Sequence, residues 1–179
     1  AWSGIVQLSF LASKKPLSVK YKPGTLNLEF LRRIAQLSTS DTAPLTVGDF
    51  LREYGIQIVV ERHLPRIYLD GAAIMISKPK PVIGLTLRYD RIDNFWFTLM
   101  HELAHLALHL ENESDVFYDD LDVEAEDDPR EREANQLAGE ALIPQEAWIR
   151  SPASRLRSPV AAEDLARQLQ IHPAIVAGR

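Results

Sequence analysis

The chain has 179 residues, no cysteine, and 20 Lys and Arg against 25 Asp and Glu, a formal net charge of −5. That size suits one domain, the absence of thiols excludes disulfide staples and thiolate zinc sites and suits a reducing cytoplasm, and the acidic balance argues against this polypeptide holding nucleic acid by itself. No apolar run reaches the roughly 18–20 residues that a membrane-spanning helix needs, so no membrane partner is expected.

In chain order, Ile5 to Ala12 is apolar but has no basic flank before it, and Lys14-Lys15-Pro16 closes it, so it reads as a short helix rather than a signal peptide. Position 1 is not Met and the chain stops at Gly178-Arg179, which reads as a piece of a longer protein. Leu28, Leu31, Ile34 and Ala35 predict a helix over Leu26 to Leu37. Ser38 to Ala43 is turn-like, and Pro44 to Tyr54 is a further helix that Gly55 is placed to stop. These segments are scaffold without chemistry of their own. Ile56 to Val60 then reads as a strand, and Arg66 to Leu69 with Ala73 to Ile76 flank Asp70-Gly71, a hairpin signal. Lys78-Pro79-Lys80-Pro81 is a rigid turn into a strand at Val82 to Leu87, with Gly84 a bulge or close-approach point. Short connections predict a small sheet of three or four strands with antiparallel pairs, and Val82 to Leu87 as an edge that an extended peptide could join.

Phe95 to Leu110 carries nine large apolar side chains on nearly every side of a helical wheel, so it belongs inside the domain. Asp90 or Asp93 is placed to cap it. The same stretch holds His101, Glu102 and His105, polar groups that are costly to bury without partners. A spacing of four puts both imidazoles on one face, where they can share a metal ion at roughly 2.0–2.1 Å from each nitrogen. Glu102, beside a ligand, is a candidate general base. This is the HExxH arrangement.

From Glu113 to Glu133 there are eleven carboxylates against Arg130 and Arg132 alone, the pattern of a solvated loop; the alternatives are a mobile lid over the active site or a second cation site, for which no calcium-loop spacing is present. Asp128-Pro129 starts a helix over Arg130 to Ile143 that ends at Pro144. Its stripe of Ala134, Leu137, Ala138, Ala141 and Leu142 puts Glu131 at the inward edge and Glu133 on the far side, so Glu131 is the candidate third ligand. A capping box with Asp128 is the competing role for Glu131. Asn135 shares its edge and is placed to orient the carboxylate. His109 is the rival ligand, but it lies eight residues from His101, about 12 Å along a helix, and reads as a supporting or surface group. His63 and His172 have no ligand-spaced partner.

Phe97-Thr98-Leu99-Met100-His101-Glu102-Leu103-Ala104-His105, followed by Glu131-Arg132-Glu133-Ala134-Asn135-Gln136-Leu137-Ala138 and Leu142-Ile143-Pro144, resembles the ImmA/IrrE metallopeptidases, which are bacterial and gluzincin-like. The likeness covers roughly Ile56 to Trp148, and Leu137 departs from it, standing where an aromatic is usual. It implies zinc (or another divalent metal) on His101, His105 and Glu131, with Glu102 as the catalytic base. It also implies a transcriptional repressor as protein substrate and an upstream DNA-binding domain outside this chain. The competing reading is a regulatory or antitoxin-type module in which the metal is structural or absent.

The expected fold is therefore α+β and zincin-like: an N-terminal helical segment over 1–54, a metallopeptidase core over 55–150 and a C-terminal helical extension over 151–179. Glu163 to Arg179 reads as helix, short turn and helix, but it offers few basic residues to phosphate. Hydrolysis also needs a group to stabilise the oxyanion, for which Tyr89, Arg91, Tyr118 and His172 are candidates.

Overall fold

The computed structural model describes residues 17, 19–61, 69–77, 79–86, 90–110, 116–120 and 128–179, with backbone alone at 69, 77 and 116–120. The expected helix at Ile5 to Ala12, as well as His63 and Tyr89, lies outside them. The elements run α1 (Leu28–Gln36), α2 (Ala43–Arg52), β1 (Gln57–Glu61), β2 (Leu69–Ser77), β3 (Lys80–Thr86), α3 (Ile92–Leu108), β4 (Val116–Asp120), α4 (Pro129–Leu142), α5 (Gln145–Arg150), α6 (Pro159–Leu169) and α7 (Pro173–Ala177). This is the α+β, zincin-like architecture, a small sheet with helices packed around one central helix.

Local chemistry accounts for the helix ends. Asn27 caps α1 by accepting from the Phe30 N–H at 2.9 Å, and Asp128 caps α4 by accepting from the Arg130 N–H at 2.9 Å. Gly55 ends the α2 region at φ 78°, and a Cβ there would stand 2.6 Å from the Lys20 carbonyl carbon and 2.8 Å from the Tyr21 Cα. No side chain fits both that conformation and that space. The cap of α3 differs from expectation. The N-cap is Arg91, with no side-chain cap bond, and Asp93 sits in the first turn, paired to the Arg91 guanidinium. A first-turn carboxylate still favours the positive end of the helix.

The sheet order is β1-β3-β2-β4. β3 pairs in parallel with β1, from Gln57↔Val82 to Glu61↔Thr86, and antiparallel with β2, which in turn pairs antiparallel with β4. Three expectations are corrected here. Asp70-Gly71 is not a turn but lies within β2, and the reversal falls between β2 and β3. β3 is interior, because the chain leaves β1, enters β2 two places away and returns to fill the gap; the edges are β1 and β4. And the acidic stretch contributes β4 as a rim strand instead of running wholly as loop.

α3 lies on β2 and β3 and against α1, α2, α4 and α7, which is why its sequence is apolar all round. Trp96 and every residue from Thr98 to Leu106 are buried. One continuous core runs from Tyr21, Phe30, Leu31 and Ile34 through Leu99 and Leu103 to Leu165, Ile175 and Val176. It thus draws on all three expected segments. No described helix is long and apolar enough to cross a membrane. Replacing Gly55→Ala is expected to lower stability by about 2 kcal/mol or more, through positive-φ strain and the forced contact with Tyr21. Urea unfolding checks this.

Candidate metal centre

The two imidazoles leave α3 one turn apart and meet the first turn of α4. Nε2 of His101 and Nε2 of His105 are 2.9 Å apart. Each is 3.2 Å from one oxygen of Glu131, His101 from Oε2 and His105 from Oε1. Both histidines are buried, and the Glu131 side chain keeps 13 % exposure. Among the described residues, these three form the one cluster able to offer three convergent donors. Bonds of about 2.0–2.1 Å in a tetrahedral site imply donor separations of roughly 3.3 Å. The observed triangle is close to that size, so one first-row divalent ion fits against it.

The protonation pattern suits a cation as well. Asn135 Oδ1 lies 3.0 Å from His101 Nδ1, and an amide oxygen accepts, so the Nδ1–H of that imidazole has a fixed partner that keeps Nε2 turned to the centre. Asn135 thus orients the imidazole, whereas the sequence pointed it at the carboxylate. Burial opposes ionisation of Glu131, but the hydrogen bonds from His101 and His105 outweigh it and, with their charge, bring its pKa down to about 2. Burial lowers the pKa of His105, against the raising effect of its bond to Glu131. The Glu131 carboxylate is thus held ionised between the two imidazoles, an anionic oxygen and two ring nitrogens turned to one point, which is the donor set that a cation requires.

The start of α4 sets this geometry. Asp128 uses its carboxylate on the Arg130 N–H and guanidinium, leaving Glu131 to turn inward, so the capping-box alternative does not hold. His109 ends α3, with Nε2 3.1 Å from the Arg130 carbonyl and 3.9 Å from Glu133 Oε2. It stands at the junction of the two helices as a supporting group.

Glu102 is fully buried, and its position depends on a glycine that the sequence suggested was a turn residue. A Cβ on Gly71 would lie 2.8 Å from Cγ and 2.9 Å from Cδ of Glu102. β2 can cross this close to the acid only without a side chain. An Asp-Gly pair carries two meanings, and only packing separates them.

The four oxyanion candidates fare differently. Arg91 lies ten residues before His101, about 15 Å along the helix, and is paired with Asp93. His172 caps α7: its Nδ1 accepts from the Ala174 N–H at 3.0 Å and its Nε2 lies 2.8 Å from Asp41 Oδ1, so both ring nitrogens are engaged. Each thus has a partner away from the donor cluster. Tyr89 is outside the described residues. Tyr118 stands on β4, in register with Ala72 and hence beside Gly71.

A helix bearing two histidines around a glutamate, completed by a glutamate from a second helix, defines the gluzincin type of metal site. Residues 53–178 match the family model described as Peptidase_M78, the IrrE N-terminal-like domain, and the chain belongs to that family. The match runs through α6 and α7, well past the core boundary drawn from sequence at 150. None of the curated proteins matches the chain.

Asn135→Ala should weaken zinc affinity about 10–100-fold by releasing the His101 ring, as read by competition with a chromophoric chelator. Protons compete with the ion for the rings, and a lowered His105 pKa delays that competition. Bound zinc should therefore be lost as the pH falls, and only on the acid side of the ordinary imidazole value of about 6.5, when measured by metal analysis after equilibrium dialysis.

Proposed function

We propose that this chain is a zinc-dependent endopeptidase that cleaves a transcriptional repressor or regulator, acting in the cytoplasm and thereby controlling gene expression. The observation that carries the reading is the convergence of His101, His105 and Glu131 next to the buried Glu102. Family membership supports the class of reaction.

The two imidazoles and the Glu131 carboxylate would hold zinc. When bound, the ion supplies Lewis-acid polarisation of a carbonyl and lowers the pKa of water. Glu102 takes a proton from the attacking water and passes it to the leaving amine, so the elements of water end on the carbonyl carbon and the nitrogen of the broken bond. Seated against Gly71, its side chain has little freedom to wander, which favours proton transfer at a fixed place. An extended substrate would add to the rim strand β4, the edge next to β2 and so next to Glu102; this takes over the part that the sequence had assigned to Val82 to Leu87. Tyr89 and Tyr118 remain the candidates to meet the oxyanion. An upstream DNA-binding domain would place the cut close to its regulatory target.

The test pairs the zinc-loaded protein with a panel of transcriptional repressors from the same cell. Chelator-sensitive cleavage is expected, and Glu102→Gln should slow it by about 10²–10⁴-fold while zinc content stays at one per chain. Undiminished cleavage by that variant would remove Glu102 from the mechanism. Tight capture of one repressor with no cut would replace hydrolysis by a regulatory binding role.

A further inference from the structure

Beyond the donor cluster, α3 and α4 do not close on each other. On α3, Phe97, His101, His105 and Leu108 share one face within about 80°. Phe97 and Leu108, the apolar neighbours of the imidazoles on that face, are each 44 % exposed in a helix otherwise sunk in the core. On α4, Glu131, Asn135 and Gly139 follow at steps of four, again on one face. The two faces meet in antiparallel order. His105 and His101 face Glu131, His101 faces Asn135, and Phe97 then shares a cavity of about 390 Å³ with Gly139. Leu142, Ile143 and Ile175 supply further apolar wall, and Asn94 lies along the rim. The cavity is of ligand size. It adjoins the metal centre through Phe97, which lines it and whose ring centroid is 6.2 Å from that of His101.

Gly139 is the informative residue. Glycine is among the poorest choices for a helix interior, and a conserved geometry or a close neighbour usually accounts for it. Here neither does: its φ is not positive, and a Cβ would meet nothing within 4 Å. The fold would accept a side chain at 139. What one would remove is space in the cavity.

We infer that this cavity is a specificity subsite, receiving an apolar side chain of the bound peptide two to four residues from the scissile bond. The spacing follows from one to two helical turns, about 6–12 Å from the imidazoles, divided by about 3.3 Å per residue of extended chain. The inference rests on the peptidase reading above, and it adds what that reading lacks, a substrate feature by which one peptide is preferred to another. Side chains of the size of leucine or phenylalanine suit the walls formed by Phe97, Leu142, Ile143 and Ile175; the charged members of the lining, Asp93 and Arg179, are engaged by Arg91 and by the Ile143 carbonyl and Gln145.

The experiment uses dodecapeptides in which a single leucine is scanned through an otherwise alanine- and serine-based sequence. Zinc-loaded wild type, Gly139→Ala and Gly139→Leu are compared by kcat/KM. Binding to the zinc-loaded Glu102→Gln variant, with and without Gly139→Leu, is followed by fluorescence anisotropy. Wild type should prefer leucine at one position, two to four residues from the cut, by about ten- to a hundredfold, as burial of one branched side chain implies. Gly139→Leu should bring that ratio close to one. Gly139→Ala, which removes little space, should keep most of the preference with a Tm at or above that of wild type, showing that position 139 is not needed for folding. Cleavage without any such preference, or a preference that survives Gly139→Leu, overturns the subsite and leaves the peptidase reading intact. Leucine-dependent binding that Gly139→Leu abolishes, in the absence of any cleavage, keeps the subsite and overturns hydrolysis. Neither cleavage nor leucine-dependent binding overturns both.

Discussion

Two imidazoles and a carboxylate meet in the interior of this domain, and the rest of the chain is arranged to make that meeting tolerable. Polar groups at this depth are costly unless they answer one another. His101, His105 and Glu131 do so within 2.9–3.2 Å, and Asn135 holds the outer nitrogen of His101. The constraint acts on two helices at once. α3 has to be central, so that its histidines are buried, and α4 has to begin at a particular residue, so that Glu131 emerges at their height. Asp128 fixes that beginning by capping its own helix rather than engaging Glu131.

The sheet supplies the second requirement, a floor that does not crowd the acid. β2 passes the middle of α3 with a glycine where any other residue would collide with Glu102. Because β3 fills the place between β1 and β2, the strand on the other side of β2 is β4, at the rim. Among the described residues, the side of the sheet nearest the glutamate therefore ends in β4 as a backbone edge. Such edges pair readily with other extended chains, a hazard in most proteins and the recognition surface in peptide-binding ones.

The C-terminal helices brace the same unit from the opposite end. α7 packs on α3, and Arg179 donates to the Ile143 carbonyl at 2.8 Å and lies 4.8 Å over the Trp148 ring. His172, which as a sequence letter had catalytic potential, is spent on capping α7 and tying it to Asp41. The family model likewise matches through residue 178.

What the sequence determined by itself was everything written in local periodicity. A spacing of four on an apolar helix puts two histidines on one face wherever that helix is placed, and a stripe with a proline start turns Glu131 and not Glu133 inward. The fold class, the extents of α1, α2, α3 and α4 to within a few residues, and the convergence of the three donors follow from such rules, because each depends on neighbours a few positions apart. Tertiary structure alone decided the meanings that need a distant partner. Gly71 is a strand residue rather than a turn because Glu102, 31 places away, needs the room. β3 is interior rather than an edge because a strand order is a choice among pairings that all share the same alternation. Asn135 serves an imidazole rather than a carboxylate because His101, on another helix, presents its Nδ1 there. Residues adjacent in sequence constrain one another through fixed backbone geometry, whereas residues adjacent only in space are joined by how the whole chain packs.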